Sequence, residues 1–224
     1  MRVFAVTSAI AAYSEADRKE DAAQILNDFG KVDPDGKTLF ANVYLKDLAA
    51  TLRQHIRDGD SEKAITNAQG VYASGIIPPL AQLQNTIAEN PWPALYATFI
   101  LRLAEQHTDA IAYSEAILKE HPGTSEALLE KAEALYAQGG PTQWQEAFGI
   151  FKQIRVGSQR GSRMWWQSEL RQLEILEKME QQLDAIGPRV SRLRKENPDL
   201  GGGEIRRGLE ALQLRADRRA LGKS

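Results

Sequence analysis

Apolar residues recur at intervals of three and four along most of this chain, the spacing that lines one face of a helix. Nowhere do apolar and polar residues alternate for long enough to make a credible strand. The fullest example runs from Ser125 to Ile154. Ser125–Gln138 sets Leu128, Ala132 and Leu135 on one face, flanked by Leu129 and Tyr136. Gln143–Ile154 repeats the pattern with Ala147, Ile150, Phe151 and Ile154. Gly139-Gly140-Pro141 breaks the chain between the two. Two short helices with one apolar face each cannot bury that face alone, so the unit demands stacked neighbours.

The rest of the chain supplies them. Val6, Ile10 and Tyr13 share one face near the start, although Arg2, Val3–Val6 and Ala9-Ile10-Ala11 also have the outline of a signal peptide. The helix is preferred, because Thr7 and Ser8 interrupt a short apolar core. A cytoplasmic location follows, or a periplasmic or secreted one if residues 1–11 act as a signal. Further helices are expected at Asp17–Phe29, Thr38–Arg57, Glu62–Tyr72, Pro78–Ala88, Ala94–Gln106 and Asp109–Glu120. Beyond the Ser125–Ile154 unit come Met164–Leu183, a helix from Gly187-Pro188 to Lys195, and Glu204–Leu221. Turns are expected at Asp33-Pro34-Asp35-Gly36 and at Asp58-Gly59-Asp60, with Ser61 capping the helix that follows. The reading is helical throughout, with no strand.

The helix pairs share a signature. Ala22 is followed twelve residues later by Pro34, and Ala110 twelve later by Pro122, with Leu26 and Phe29 or Ser114 and Ile117 between. Ala147, Phe151 and Ile154 keep the same spacing; Ala64, Ala68 and Val71 give a weaker copy, and Ile186, Val190, Leu193 and Pro198 another. Tyr13 and Leu101 each lie nine residues before the alanine of their pair. This resembles the tetratricopeptide repeat in degenerate form, best over Asp109–Pro122. The resemblance implies an all-α fold, a right-handed alpha-alpha superhelix, over residues 1–200, closed by a C-terminal capping helix at 201–224. The Pro78–Ala88 helix fits no repeat.

Composition adds exclusions. Hydrophobic residues make up 42% and charged residues 26%, ordinary for a globular chain. There is no cysteine, which removes disulfides, thiolate metal sites and thiol catalysis. His55, His107 and His121 fall at a helix end and two turns, with no partner at metal-ligand or triad spacing. The acidic turns at Asp33–Gly36 and Asp58–Glu62 lack the ligand pattern of a calcium loop, and Gly201–Glu204 lacks the strand and lysine of a phosphate loop. Neither a catalytic residue nor a metal or cofactor is expected.

The net charge of -2 conceals a balance of +5 over Gly187–Ser224 and -7 over the rest. The basic cluster of Arg189, Arg192, Arg194, Lys195, Arg206, Arg207, Arg215, Arg218 and Arg219 has no interleaved aromatics, so nucleic acid is disfavoured as a partner.

The family resemblance implies a binding surface lined by first helices. The matching positions are Trp92, Leu95, Phe99 and Arg102 in one pair and Glu126, Leu129, Glu133 and Tyr136 in the next. Such a groove suits a protein or peptide with apolar anchors and basic residues. Of Trp165 and Trp166, one is expected in the core and the other exposed. The expected function is a non-enzymatic protein-interaction scaffold, alone or as a piece of a larger repeat protein or complex. The alternative is an adaptor holding RNA or another anionic partner on its basic C-terminal helices.

Overall fold

The computed structural model describes the backbone over residues 34–221, with Ile25 and Asp28 as isolated helical positions, and side chains over 43–219. The helix expected around Val6–Tyr13, and all of Asp17–Phe29 but those two positions, lie outside the described residues. Those residues form ten helices and no strand. They are α1 Pro34–Arg57, α2 Ser61–Ala73, α3 Leu80–Glu89, α4 Trp92–Leu103 and α5 His107–Glu120, then α6 Ser125–Gln138, α7 Pro141–Gly157, α8 Arg163–Lys178, α9 Leu183–Glu196 and α10 Gly203–Leu221. No helix among the described residues is long and apolar enough to cross a membrane.

The amphipathic pattern placed every one of these helices, and its errors lie at their ends. Pro34, Asp35 and Gly36 open α1 instead of forming a turn, since proline at a first helical position loses no hydrogen bond. Ser61 is already helical; Asp60 stands before it and makes no side-chain cap. Trp92 and Pro93 form the first turn of α4, and His107 begins α5. The long helix expected to Leu183 stops at Lys178, where Glu180 (φ 53°) and Gln182 (φ 50°) take left-handed conformations. Helix α9 then runs through Gly187-Pro188, with the proline inside it.

The chain divides into two compact units, Met1–Glu130 and Lys131–Ser224, the division falling within α6. In the described part of the first unit, α1, α2 and α4 pack on one another, and α3 lies on α4 and α5. Alanines at Ala64, Ala68, Ala94, Ala97 and Ala110 are fully covered, which lets these helices approach closely. Two hydrogen bonds fix α3, the helix without a repeat partner: the Tyr113 hydroxyl donates to Pro78 O, and His121 Nε2 meets Ile87 O at 2.7 Å. Burial, then the charge of Asp109, pushes the Tyr113 phenol up to about 12.

In the second unit α8 packs on α7, and α9 on α10. Its core joins Trp165, Trp166, Leu170, Leu173, Val190 and Leu209, with Ile186, Leu193 and Leu212. The final helix therefore shares one core with α8 and α9. Both tryptophans are inside, 8% and 3% exposed and edge to face at 4.8 Å, which corrects the expectation that one stands free. Two glycines permit the closure. A Cβ on Gly208 would sit 2.9 Å from the Leu170 methyls, and Gly201, at φ +82°, would place one 2.6 Å from Trp166 Cγ.

Candidate functional site

The first-helix residues of the first unit are largely closed off. Leu95 and Phe99 are buried. The Phe99 ring lies beneath two guanidiniums, Arg53 at 4.5 Å and Arg102 at 5.4 Å from its centroid. Arg102 Nε donates to Glu130 Oε2 at 2.6 Å. Trp92 stays open, 49% exposed and stacked on Tyr96 with centroids 6.2 Å apart. Glu126 is exposed and Leu129 half-buried.

Glu133 is 4% exposed, so it presents no open carboxylate to a basic ligand. Gln167 Nε2 donates to it at 2.8 Å and Arg171 Nε at 2.9 Å, while Arg171 Nη1 reaches Glu174 at 2.7 Å. Burial works against the Arg171 charge, but Glu133 and Glu174 outweigh it and raise its pKa further. The same guanidinium covers the half-buried Tyr136 ring at 4.6 Å, beside Lys178 at 5.4 Å. Burial and then Glu174 raise the Tyr136 phenol well above its usual value. Trp144 Nε1 donates to Tyr136 O, so its indole also faces inward. The acidic aromatic face expected here is a neutralised network whose purpose is to hold α6, α7 and α8 together.

The open concavity of the second unit lies elsewhere, along α9 where it faces α8. One end, of about 260 Å³, is mainly apolar, lined by Leu173, Leu176, Ala185, Ile186 and Pro188. The other end, of about 560 Å³, has four arginines: Arg155 from α7, Arg160 from the following loop, and Arg189 and Arg192 from α9. Arg189 and Arg192 line both ends, so the two concavities adjoin along α9. At its wall stands Glu169, 2% exposed. Arg189 Nε donates to Glu169 Oε1 at 2.6 Å, and Arg155 Nη1 lies 3.5 Å from Oε2. Arg155 Nε and Glu169 Oε2 are buried, and among the described residues neither has a hydrogen-bond partner. Arg160 pairs with Glu196 at the rim. Arg192 is exposed and makes no ion pair among the described residues.

The sequence held a signal for this site that spacing alone disguised. Glu169 sits on the apolar stripe of α8, four residues after Trp165 and four before Leu173. A carboxylate in such a stripe must be paired once the helix packs. Its partners come from α7 and α9, 14 and 20 residues away, and no local pattern names them.

Five residues of the C-terminal basic cluster, Arg189, Arg194, Arg206, Arg215 and Arg219, are paired with glutamates of their own unit. Arg215 and Arg219 both donate to Glu177, at 2.7 and 2.6 Å. The Arg215 hydrogen bond, ahead of the opposing effect of burial, holds the Glu177 carboxyl below its usual range. Arg206 pairs with Glu210 at 3.1 Å, and Arg194 lies 3.6 Å from the same carboxylate. Of the histidines, His121 is engaged as described above, and the buried Nδ1 of His107 has no partner among the described residues. Burial lowers the His107 pKa. Among the described residues no three His, Asp or Glu side chains gather to hold a metal ion. Comparisons with protein-family models, with curated proteins and with solved structures found no match.

Proposed function

We propose that this chain is a non-enzymatic, tetratricopeptide-like scaffold that takes a segment of a partner protein into the α8–α9 groove of its second unit. The observation that carries this reading is the groove itself, apolar at one end and basic at the other. The repeat reading is supported by burial of its signature positions: Ala110, Ser114, Ile117, Ala147, Phe151 and Ile154 are all inside. Alanine there serves close helix approach, and the larger residues fill the space between pairs. An open groove of mixed lining suits a peptide or helix whose apolar side chains are anchors and whose polar groups set register.

Peptides selected from a random displayed library provide the test. Those recovered on the wild-type chain are expected to lose affinity for Ala185→Lys, which fills the apolar end from an exposed position. They should be indifferent to Trp92→Ser and Glu126→Lys on the first-helix face. The opposite pattern would return the binding surface to that face. The adaptor for RNA or another anionic polymer is less well supported, because Arg194, Arg206, Arg215 and Arg219 are committed to glutamates of their own unit.

A further inference from the structure

We propose that the segment held in the α8–α9 groove is acidic, with carboxylates seated against Arg155, Arg189 and Arg192 and an apolar side chain in the neighbouring end. This rests on the groove being the binding surface. Four arginines face the basic end against two glutamates, Glu169 and Glu196, so two positive charges there have no counter-charge within the lining. One belongs to Arg192, which is exposed and unpaired among the described residues. The other arises at Glu169, a single carboxylate shared by Arg189 and Arg155.

The surplus positive charge at this end is partly exposed, Arg155 to 31% and Arg189 to 23%, and so is open to an entering anion. Arginine also suits the task, because its planar fork presents paired N–H groups to a carboxylate.

The same groove fits a nucleic acid poorly. Base binding needs an open aromatic face. Trp165, the aromatic side chain lining the basic end, is 8% exposed, turned edge to face against Trp166 and covered by Arg160 at 5.9 Å. Two of the four arginines, Arg189 and Arg192, continue to the other end, whose floor is Leu173, Leu176 and Ile186. Carboxylates next to a leucine-like anchor match that order of charge and apolar surface.

The test is fluorescence polarisation on the full chain with three labelled peptides: one of glutamate and leucine, its glutamine counterpart and its lysine counterpart. The glutamate peptide should bind, weaken with added salt, and lose about tenfold or more in affinity when its glutamates become glutamine. Arg192→Glu, at an exposed position, should weaken the glutamate peptide and strengthen the lysine one. Equal binding of the glutamate and glutamine peptides would leave the groove as the binding surface but overturn the acidic partner. Failure of all three would overturn the groove and the inference together. Displacement of the glutamate peptide by poly-uridylate at lower concentration than by unlabelled peptide would overturn it in favour of nucleic acid.

Discussion

Among the described residues, the buried polar side chains of the first unit include the hydroxyls of Thr98 and Ser114; those of the second include the carboxylates of Glu133 and Glu169. The hydroxyls are satisfied within their own helices, Thr98 Oγ1 donating to Ala94 O at 2.7 Å and Ser114 Oγ to Ala110 O at 2.9 Å. The carboxylates have no such recourse. Glu133 is met by Arg171, 38 residues on, and Glu169 by Arg189, 20 residues on. A polar group that closes on its own backbone costs the fold little and leaves it free to be filled with alanine and leucine. A buried carboxylate instead ties distant helices into one arrangement, and where the pairing is incomplete it leaves charge facing a groove. That difference is why the open basic concavity lies in the second unit.

Removing Glu169 tests the contrast most severely. Glu169→Ala strands Arg155 and Arg189 and should cost about 3 kcal/mol, at the low end for a buried pair because both arginines are partly exposed. Urea unfolding followed by tryptophan fluorescence should show the loss in the second unit, which holds Trp144, Trp165 and Trp166, while Trp92 reports the first. A single shared transition unmoved by the substitution would break the comparison.

The first unit has its own dependence on a buried group, set by pH. The Tyr113 phenol is raised in the folded chain from 10.0 to about 12, so its contribution is complete below pH 10 and is lost as pH climbs through 12. Stability should fall by up to about 2–3 kcal/mol across that window. Tyr113→Phe should flatten this part of the alkaline profile in titrations of unfolding free energy. Tyr136, raised in the same direction, contributes a parallel loss in the second unit.

Gly208→Ala probes a close approach in the second unit of the kind that alanines give the first. The added methyl meets Leu170 at 2.9 Å, and overpacking should cost about 1–2 kcal/mol, measurable as a lower urea midpoint. Ser114→Ala should be the mildest change, within about 0.5 kcal/mol of wild type, since loss of a bond to the helix's own carbonyl is offset by better helix propensity. A large effect there would mean that buried hydroxyls in the first unit do more than close on their own helix.

Much of the fold was legible beforehand because periodicity and punctuation are local. The three-and-four spacing around Ala110, Ala132 and Ala147 located the helices, and Gly139-Gly140-Pro141 located a turn. The break at Met179–Gln182 was not legible: it has no glycine or proline, and Glu180 and Gln182 take positive φ where α9 must bring Ile186 into the core. The site was less legible than the fold. Glu133 lies on the expected face and does meet a cation, but that cation is Arg171 of its own unit. Leu95 and Phe99 lie on the expected face and are covered.

The sequence by itself determined that the described part of this protein is helical and which face of each helix is apolar, because the energy of an amphipathic helix depends on residues three and four positions apart. It also placed a carboxylate, Glu169, in an apolar stripe where it had to find a cation. Only the tertiary structure decided which cations reached it, which carboxylates were silenced, and that the space left beside α9 is bordered by Arg155, Arg189 and Arg192. Charge pairing depends on distance in space, and residues far apart in the chain become neighbours only when the helices have packed.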